Sequence, residues 1–262
     1  MGQLFKIVKV PVFSVPVWLL LWLLLSASLA AQSANAQSAR YPPTDQPWDG
    51  TSYRALVQRV EDNGLALPSL SDAATKPVFE RMVNADNIPL HMGLNRDLSV
   101  TIRFQRLDSA LPAVHKLVVL YWNEIKSGKP YAAELAKLMV YESKISAALL
   151  DLSERYLATL KDDKRYHVHV AYFDQVKTSA RLLYAGLVQG MTDTRLHSSA
   201  DIQTLIKAAV EGLPAYHLVL TDQDIQDLTQ KLTQHITVTT DQPQKAALTE
   251  LRDMLQHRRI RT

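Results

Sequence analysis

Apolar residues recur at intervals of three and four along most of the chain, the period of an amphipathic α-helix. The longest regular run lies at residues 131–156, where positions alternately four and three apart follow one another without a break. A run of about 30 residues predicts a helix about 45 Å long. These positions, called the first stripe below, are Tyr131, Leu135, Leu138, Glu142, Ile145, Leu149, Leu152 and Tyr156.

A second run with the same spacing follows the polar turn Lys161-Asp162-Asp163-Lys164. Two such helices joined by a short turn predict an antiparallel helical hairpin, about 130–160 and 163–190, with the two runs packed against each other. Glycines four apart in the second run favour close approach of another helix. This second stripe comprises His169, Tyr172, Val176, Ser179, Leu183, Gly186 and Gly190.

Shorter helical patterns fill the rest of the chain after residue 50, and Thr51, Ser198 or Ser199, and Thr221 are their predicted N-caps. Residues 111–126 are apolar on most sides, which predicts a central, buried helix. Residues 87–97 are predicted to form a loop. The sequence therefore predicts an all-α fold, a multi-helix bundle or array built around the long hairpin, with residues 51–262 as one domain.

Residues 98–107 are ambiguous, because Leu98, Val100, Ile102 and Phe104 alternate with polar residues as in a strand. A lone strand needs a partner, and the other β-like run is 236–240. Since helical patterns surround both runs, we predict that 98–107 is helical.

The N-terminus has the three parts of a secretory signal. Lys6 and Lys9 precede an uncharged run whose densest part is Val17–Leu25, and Ala34-Asn35-Ala36 supplies a small-residue cleavage site. We predict that residues 1–36 are removed after Ala36, with a second possible cut after Ala30. The alternative is an uncleaved membrane anchor, because 10–31 approaches the length of a membrane span.

Export follows from this interpretation, and we expect the protein to be periplasmic or extracellular, with no membrane span once the signal is removed. Residues 37–50 contain Pro42, Pro43 and Pro47 and are predicted to be an extended leader. The chain has no cysteine, so its stability is expected to come from an ordinary apolar core.

Composition and charge narrow the function. The chain has 29 basic and 26 acidic residues, and loss of the signal removes two basic residues and no acidic one. A mature chain this close to neutral gives no electrostatic reason to expect a nucleic-acid partner. The dense basic cluster at 257–261 is interpreted as favourable charge at a helix C-terminus.

Several familiar chemistries lack their motifs. The chain has no phosphate-binding G-x-x-x-x-G-K-[ST] or G-x-G-x-x-G loop, no G-x-S-x-G elbow, no H-E-x-x-H zinc motif and no C-x-x-C-H haem motif. We therefore predict no nucleotide and no cofactor. Among the histidines only His167 and His169 are close in sequence, and on a helix they point to different sides, so no metal site is predicted.

Glu142 is the residue that breaks the pattern, because a carboxylate in a core stripe is costly unless it is paired. A hairpin turning near residue 162 places Glu142 level with Ser179 and Arg181. One interpretation is a Glu142–Arg181 pair that fixes the helix register. The other is an acidic group in a pocket, lined by aromatic residues such as Tyr121, Trp122, Tyr172 and Tyr184.

Two functional hypotheses follow. The favoured one is an exported, non-enzymatic helical protein that acts through protein or envelope contacts, supported by the missing catalytic motifs and the extended hairpin. The alternative is a helical ligand-binding protein or enzyme whose pocket lies between the hairpin and helix 111–126. The alternative requires a cavity beside Glu142, an upward-shifted pKa of its carboxyl group and a second polar group within reach.

Overall fold

The computed structural model describes residues 41–92, 98–164, 166–193 and 198–257. Within these ranges the regular structure is entirely helical, so the predicted all-α fold is confirmed. The helices, in chain order, are α1 Gly50–Asn63, α2 Lys76–Met82, α3 Asn87–Met92, α4 Val100–Lys126, α5 Ala132–Thr159, α6 Tyr166–Thr192, α7 Ser199–Tyr216, α8 Asp222–Val238 and α9 Gln242–His257.

The long hairpin is present as α5 and α6, which pack against each other. Helix α5 also packs against α4 and α7, which makes it the central helix of the array. Helix α1 covers α4, α8 packs on α6, and α9 packs on both α7 and α8. The array therefore grows outward on both sides of α5.

The first stripe is the core of this array. Leu135, Leu138 and Ile145 are fully buried, and Leu149 and Leu152 are nearly so. The same stripe keeps Glu142 buried. The prediction of a packed apolar edge on the first long helix is therefore confirmed.

The second stripe is not the packed edge of α6, and that prediction is wrong. Tyr172, Ser179 and Gly186 are exposed, while the buried side chains begin one residue later, with Phe173, Ala180 and Tyr184 as examples. A shift of one residue turns the buried face by about 100°. The reason is that α6 covers α7 and α8 as well as α5, so its buried face is turned away from the α5 axis.

Helix α4 is one continuous helix, which confirms a helical 98–107 region from residue 100 onward and excludes a strand there. Helix α8 likewise continues to Val238. The prediction that 111–126 is buried on most sides is wrong, because α4 flanks α5 and leaves His115 and Val119 exposed.

Two of the three predicted N-caps are confirmed. Ser198 accepts a hydrogen bond from the Asp201 N–H, and Thr221 forms a capping box with Asp224. At α1 the cap is Asp49, whose carboxylate accepts from the N–H groups of Thr51 and Ser52, so Thr51 is not the cap. An aspartate two residues earlier provides a better acceptor for the free N–H groups of the first turn.

Residues 41–49 contain no helix, yet two of their aromatic side chains belong to the core. Trp48 is fully buried and its indole N–H donates to the Pro43 carbonyl, while the Tyr41 hydroxyl donates to the Ala66 carbonyl. Part of the predicted leader is thus attached to the domain by burial of large rings.

The region predicted as a loop at 87–97 contains α3, so that prediction is wrong for residues 87–92. Buried Asn87 donates to the Arg81 carbonyl, and this hydrogen bond stabilises the segment that leads into α3. Residues 93–97 lie outside the described residues, as do the predicted signal at 1–36 and most of the basic cluster at 257–261. No helix in the described part of the chain combines the length and the apolar character that a membrane span requires.

Candidate functional site

A groove of about 480 Å³ lies between α4 and α6, and α5 forms its floor. Its lining is mainly apolar, with a few polar groups. Helix α4 contributes Asp108, Leu111, Pro112, His115 and Val118; α5 contributes Met139, Glu142 and Leu149; α6 contributes Tyr172, Gln175, Val176, Ser179, Leu182, Leu183 and Gly186. Five residues of the second stripe therefore line the wall of the groove.

An aromatic cluster closes one end of this groove. It consists of Phe104, Tyr156, Tyr172 and Phe173, with Phe104 and Tyr156 stacked at 4.5 Å between ring centroids. Next to it the Tyr172 hydroxyl donates a hydrogen bond to Asp108. Helices α4 and α6 thus meet at this end, and the open groove extends along them from there.

The directions of the three helices fix which residues are level with one another. Helices α4 and α5 are antiparallel, since Phe104 meets Tyr156 and Tyr121 meets Tyr131. The hairpin makes α5 and α6 antiparallel as well, so α4 and α6 run in the same direction.

This shared direction places His115 level with Ser179 across the groove. The Tyr172–Asp108 hydrogen bond joins residues 64 apart in sequence, and His115 and Ser179 have the same separation. Both lie seven residues, or about 10 Å, beyond the closed end. We call the Tyr172–Asp108 contact the first polar level of the groove and the position of His115 and Ser179 the second polar level. Glu142 lies on the floor of the groove, below His115.

A carboxylate–imidazole pair forms that second level. The Oε1 atom of Glu142 lies 2.7 Å from Nδ1 of His115. The side chain of Glu142 is 7% exposed and that of His115 is 54% exposed. The pair thus joins a buried acid to a half-exposed ring, and it leaves the Nε2 atom of His115 for another partner.

The pKa of each group lies above its ordinary value, for opposite reasons. Desolvation raises the pKa of the Glu142 carboxyl group above its ordinary value of 4.5, and the hydrogen bond and charge of His115 partly oppose this rise. The hydrogen bond to Glu142 raises the pKa of His115 above its ordinary value of 6.5, although desolvation lowers it. A hydrogen-bonded carboxylate and imidazole can share a proton and transfer it to a bound group.

The closed end has a different electrostatic character. Burial raises the pKa of Asp108, and the hydrogen bond from Tyr172 acts in the opposite direction. Desolvation and the nearby Asp108 carboxylate raise the pKa of the Tyr172 hydroxyl, so this phenol stays a neutral donor. The hydrogen-bond donor to Asp108 is therefore a neutral phenol and not a cation.

The predicted site residues lie in two different parts of the structure. Glu142 and Ser179 line the same groove. Arg181 does not: its guanidinium donates from Nε and from a second nitrogen to the carboxylate of Asp224 on α8, at 2.7 and 3.1 Å. The predicted Glu142–Arg181 pair is thus wrong, because the turned face of α6 directs Arg181 toward α8 and leaves His115 as the partner of Glu142.

Sequence reasoning missed His115, although a signal was present. Glu142 lies 13 residues after Lys129, and His115 lies 13 residues before Gly128. The symmetry of an antiparallel pair about this turn places the two residues opposite each other. The symmetry about residue 162 concerns the other antiparallel pair, α5 and α6, and so does not bring in His115.

Of the four aromatic residues considered as pocket lining, only Tyr172 belongs to this groove. Tyr121 and Tyr184 are fully buried elsewhere, where their hydroxyl groups donate to the carbonyl oxygens of Pro68 and Ala209. In the described ranges, no three His, Cys, Asp or Glu side chains are grouped closely enough to hold a metal ion.

Comparison with profiles of known protein families, with curated proteins and with solved structures gave no match. The assignment of this groove as the candidate site therefore rests on its shape and on its two polar levels.

Proposed function

We propose that this protein binds a small, largely apolar ligand in the groove between α4 and α6, which is the ligand-binding alternative inferred from the sequence. The observation that carries this proposal is the Glu142–His115 pair at the wall of an open, mainly apolar groove. Ligand sites are commonly concave, apolar surfaces of this volume with a few placed polar groups.

The apolar surface of α6 supports the same proposal. One face of this helix is buried in the fold, and a second face, which includes Val176 and Leu183, is only half covered. Leu182 at the rim is 69% exposed. Apolar surface left open beside a polar pair is typical of a binding site rather than of a satisfied core.

A neutral fluorescent probe tests this function. N-Phenyl-1-naphthylamine is uncharged at neutral pH and becomes brighter in apolar surroundings, so we expect it to bind the folded chain at one site. Gly186→Trp places a large ring where no described atom lies within 4 Å of the new Cβ. This variant should fold and should lose most of the probe signal.

The matched control is Gln189→Trp, which adds the same ring at an exposed position on α6 outside the groove lining. It should bind the probe as the unchanged chain does. Equal binding by both variants would show that the probe lies elsewhere and would overturn the proposed function.

A protein contact is the second candidate function, and the spacing of the second stripe favours it. Alternating steps of three and four are the spacing by which one helix packs on another, and five stripe residues line the open groove. A partner that offers an amphipathic helix would fit this spacing. Cross-linking from Leu182 at the rim, with Leu218 as an exposed control, distinguishes a protein occupant from a small one.

Export remains part of the proposal. The charged start, apolar run and Ala34-Asn35-Ala36 box of the sequence support removal of a signal after Ala36. N-terminal sequencing of the protein recovered outside the cytoplasm tests this directly. A mature chain beginning at Gln37 is expected, whereas an intact N-terminus in a membrane fraction would favour the anchor.

A further inference from the structure

The charges of the groove restrict the kind of ligand it accepts. Among the described lining residues, the ionisable groups are two carboxylates, one imidazole and one phenol, and none is a lysine or an arginine. Those four are Asp108, Glu142, His115 and Tyr172. An anionic ligand would therefore meet carboxylates without a permanent cation to receive it.

The two carboxylates differ in how their charge is compensated. Glu142 has the imidazole of His115 at 2.7 Å. Asp108 receives a hydrogen bond from the neutral Tyr172 hydroxyl, and no ion pair within the described part of the chain includes Asp108. The uncompensated negative charge of the groove is thus located at its closed end.

The surroundings of Asp108 suit an organic cation. The Tyr172 ring lines the same end, and aromatic faces attract cations through their negative electrostatic potential. Leu111 and Val176 lie about one turn farther along the two walls, where an apolar body would follow the charged group. The carboxylate at the closed end is therefore followed, along the length of the groove, by apolar surface.

We infer that the ligand is a cationic amphiphile: an organic ammonium group bound at Asp108, with an apolar body lying along α4 and α6. This inference rests on the proposed function and adds to it the chemical class of the ligand. It also explains why the closed end contains a carboxylate whose only hydrogen-bond donor in the described ranges is a phenol.

Three probes with the same alkyl chain test the charge preference. Dodecylammonium, dodecanol and dodecanoate, each below its micelle concentration, compete with N-phenyl-1-naphthylamine for the full mature chain. We expect dodecylammonium to bind about tenfold more tightly than dodecanoate, with dodecanol between them, as one favourable charge contact would give.

Asp108→Asn removes the charge and keeps an oxygen that accepts from Tyr172, so the preference for dodecylammonium should fall by about tenfold. Asp151→Asn removes an exposed carboxylate of α5 outside the groove and is the matched control. If Asp108→Asn does not fold, Tyr172→Phe provides the second test. It removes the competing donor from Asp108 and should strengthen dodecylammonium binding.

The results separate this inference from the proposed function. If Gly186→Trp abolishes probe binding but dodecanoate competes as strongly as dodecylammonium, the ligand class is wrong and the binding function stands. If Gly186→Trp leaves probe binding intact, both are wrong. A preference for dodecylammonium that persists in a folded Asp108→Asn variant would also overturn the inference, whatever the result for Asp151→Asn.

Discussion

The two long helices of the hairpin have apolar stripes of the same spacing but use them differently. The first stripe, on α5, is buried between α4, α6 and α7 and contains the core residues Leu138 and Ile145. The second stripe, on α6, faces an open groove for most of its length, at Val176 and Ser179 for example. Equal spacing thus produces a core in one helix and a surface in the other.

The difference shows that spacing predicts a helix without predicting which face is buried. Helix α6 has a second set of apolar positions, one residue later, that includes Phe173 and Tyr184. The rings of Phe173 and Tyr184 occupy the core, and the smaller side chains at Val176 and Ser179 are left at the groove. A helix with more apolar surface than its fold covers has surface available for a ligand.

The largest expected difference in stability is between two variants that each truncate one leucine, one in the first stripe and one in the second. Leu138→Ala removes a fully buried side chain and should lower the free energy of unfolding by about 2–5 kcal/mol. Leu183→Ala removes a half-buried side chain at the groove and should cost less than about 1.5 kcal/mol. Urea unfolding of both variants measures the difference, and equal losses would contradict it.

Two helical glycines give the next largest contrast. A Cβ at Gly212 would lie 3.1 Å from the ring of Tyr216, which is fully buried and held by a hydrogen bond to Ser143. Gly212→Ala should therefore destabilise the chain by about 1–3 kcal/mol. Gly186 faces the groove, so Gly186→Ala should stabilise it by up to about 1 kcal/mol through helix propensity.

Thermal unfolding of the two glycine variants decides this comparison. A lower melting temperature for Gly186→Ala would mean that the groove is filled by protein, and it would contradict the account of the second stripe.

The Glu142–His115 pair should be visible as a pH effect. The pKa of His115 is raised above 6.5 in the folded chain, so the stability from pairing is complete below pH 6.5 and is lost as pH rises through the folded pKa. The pKa of Glu142 is raised as well, from 4.5, and acts with the same sign at lower pH. Stability should therefore fall as pH rises above about 6.5 and through the raised pKa of His115.

Glu142→Gln should flatten this dependence and return the pKa of His115 toward 6.5, as followed by NMR titration of the ring. Since the imidazole is half exposed, the change in stability should stay below about 1 kcal/mol. Glu154→Gln, at an exposed position of α5, is the control. An unchanged pKa of His115 in Glu142→Gln would exclude the pair.

The smallest effect concerns Arg181, whose sequence-based pairing with Glu142 is wrong. A double-mutant cycle of Arg181→Met and Asp224→Asn should give a coupling of up to about 1 kcal/mol, because both side chains are partly exposed. The cycle of Arg181→Met with Glu142→Gln should give none. Measurable coupling in the second cycle alone would restore the predicted pair.

Much of the fold was predictable because local patterns determine it. The all-α class, the hairpin and the caps at Ser198 and Thr221 follow from periodicity and from capping chemistry. The buried face of α6 was not predictable in this way, since it depends on the number of neighbours that this helix covers.

The candidate site was only half predictable for a related reason. Glu142 breaks the apolar pattern of its own helix, so sequence reasoning identified it. His115 is one of eight histidines and becomes significant only when α4 is placed opposite α5. Asp108 has no local signal either, since its role depends on contact with Tyr172.

The most direct test of the two faces of α6 uses the absence of cysteine in the chain. Ser179→Cys and Ala180→Cys place single thiols at adjacent positions, one at the groove and one in the core. Maleimide labelling of the native protein should modify Cys at 179 readily and Cys at 180 at least about a hundredfold more slowly, because the latter requires opening of the fold. Equal rates, or faster labelling at 180, would contradict the open groove on which the account depends.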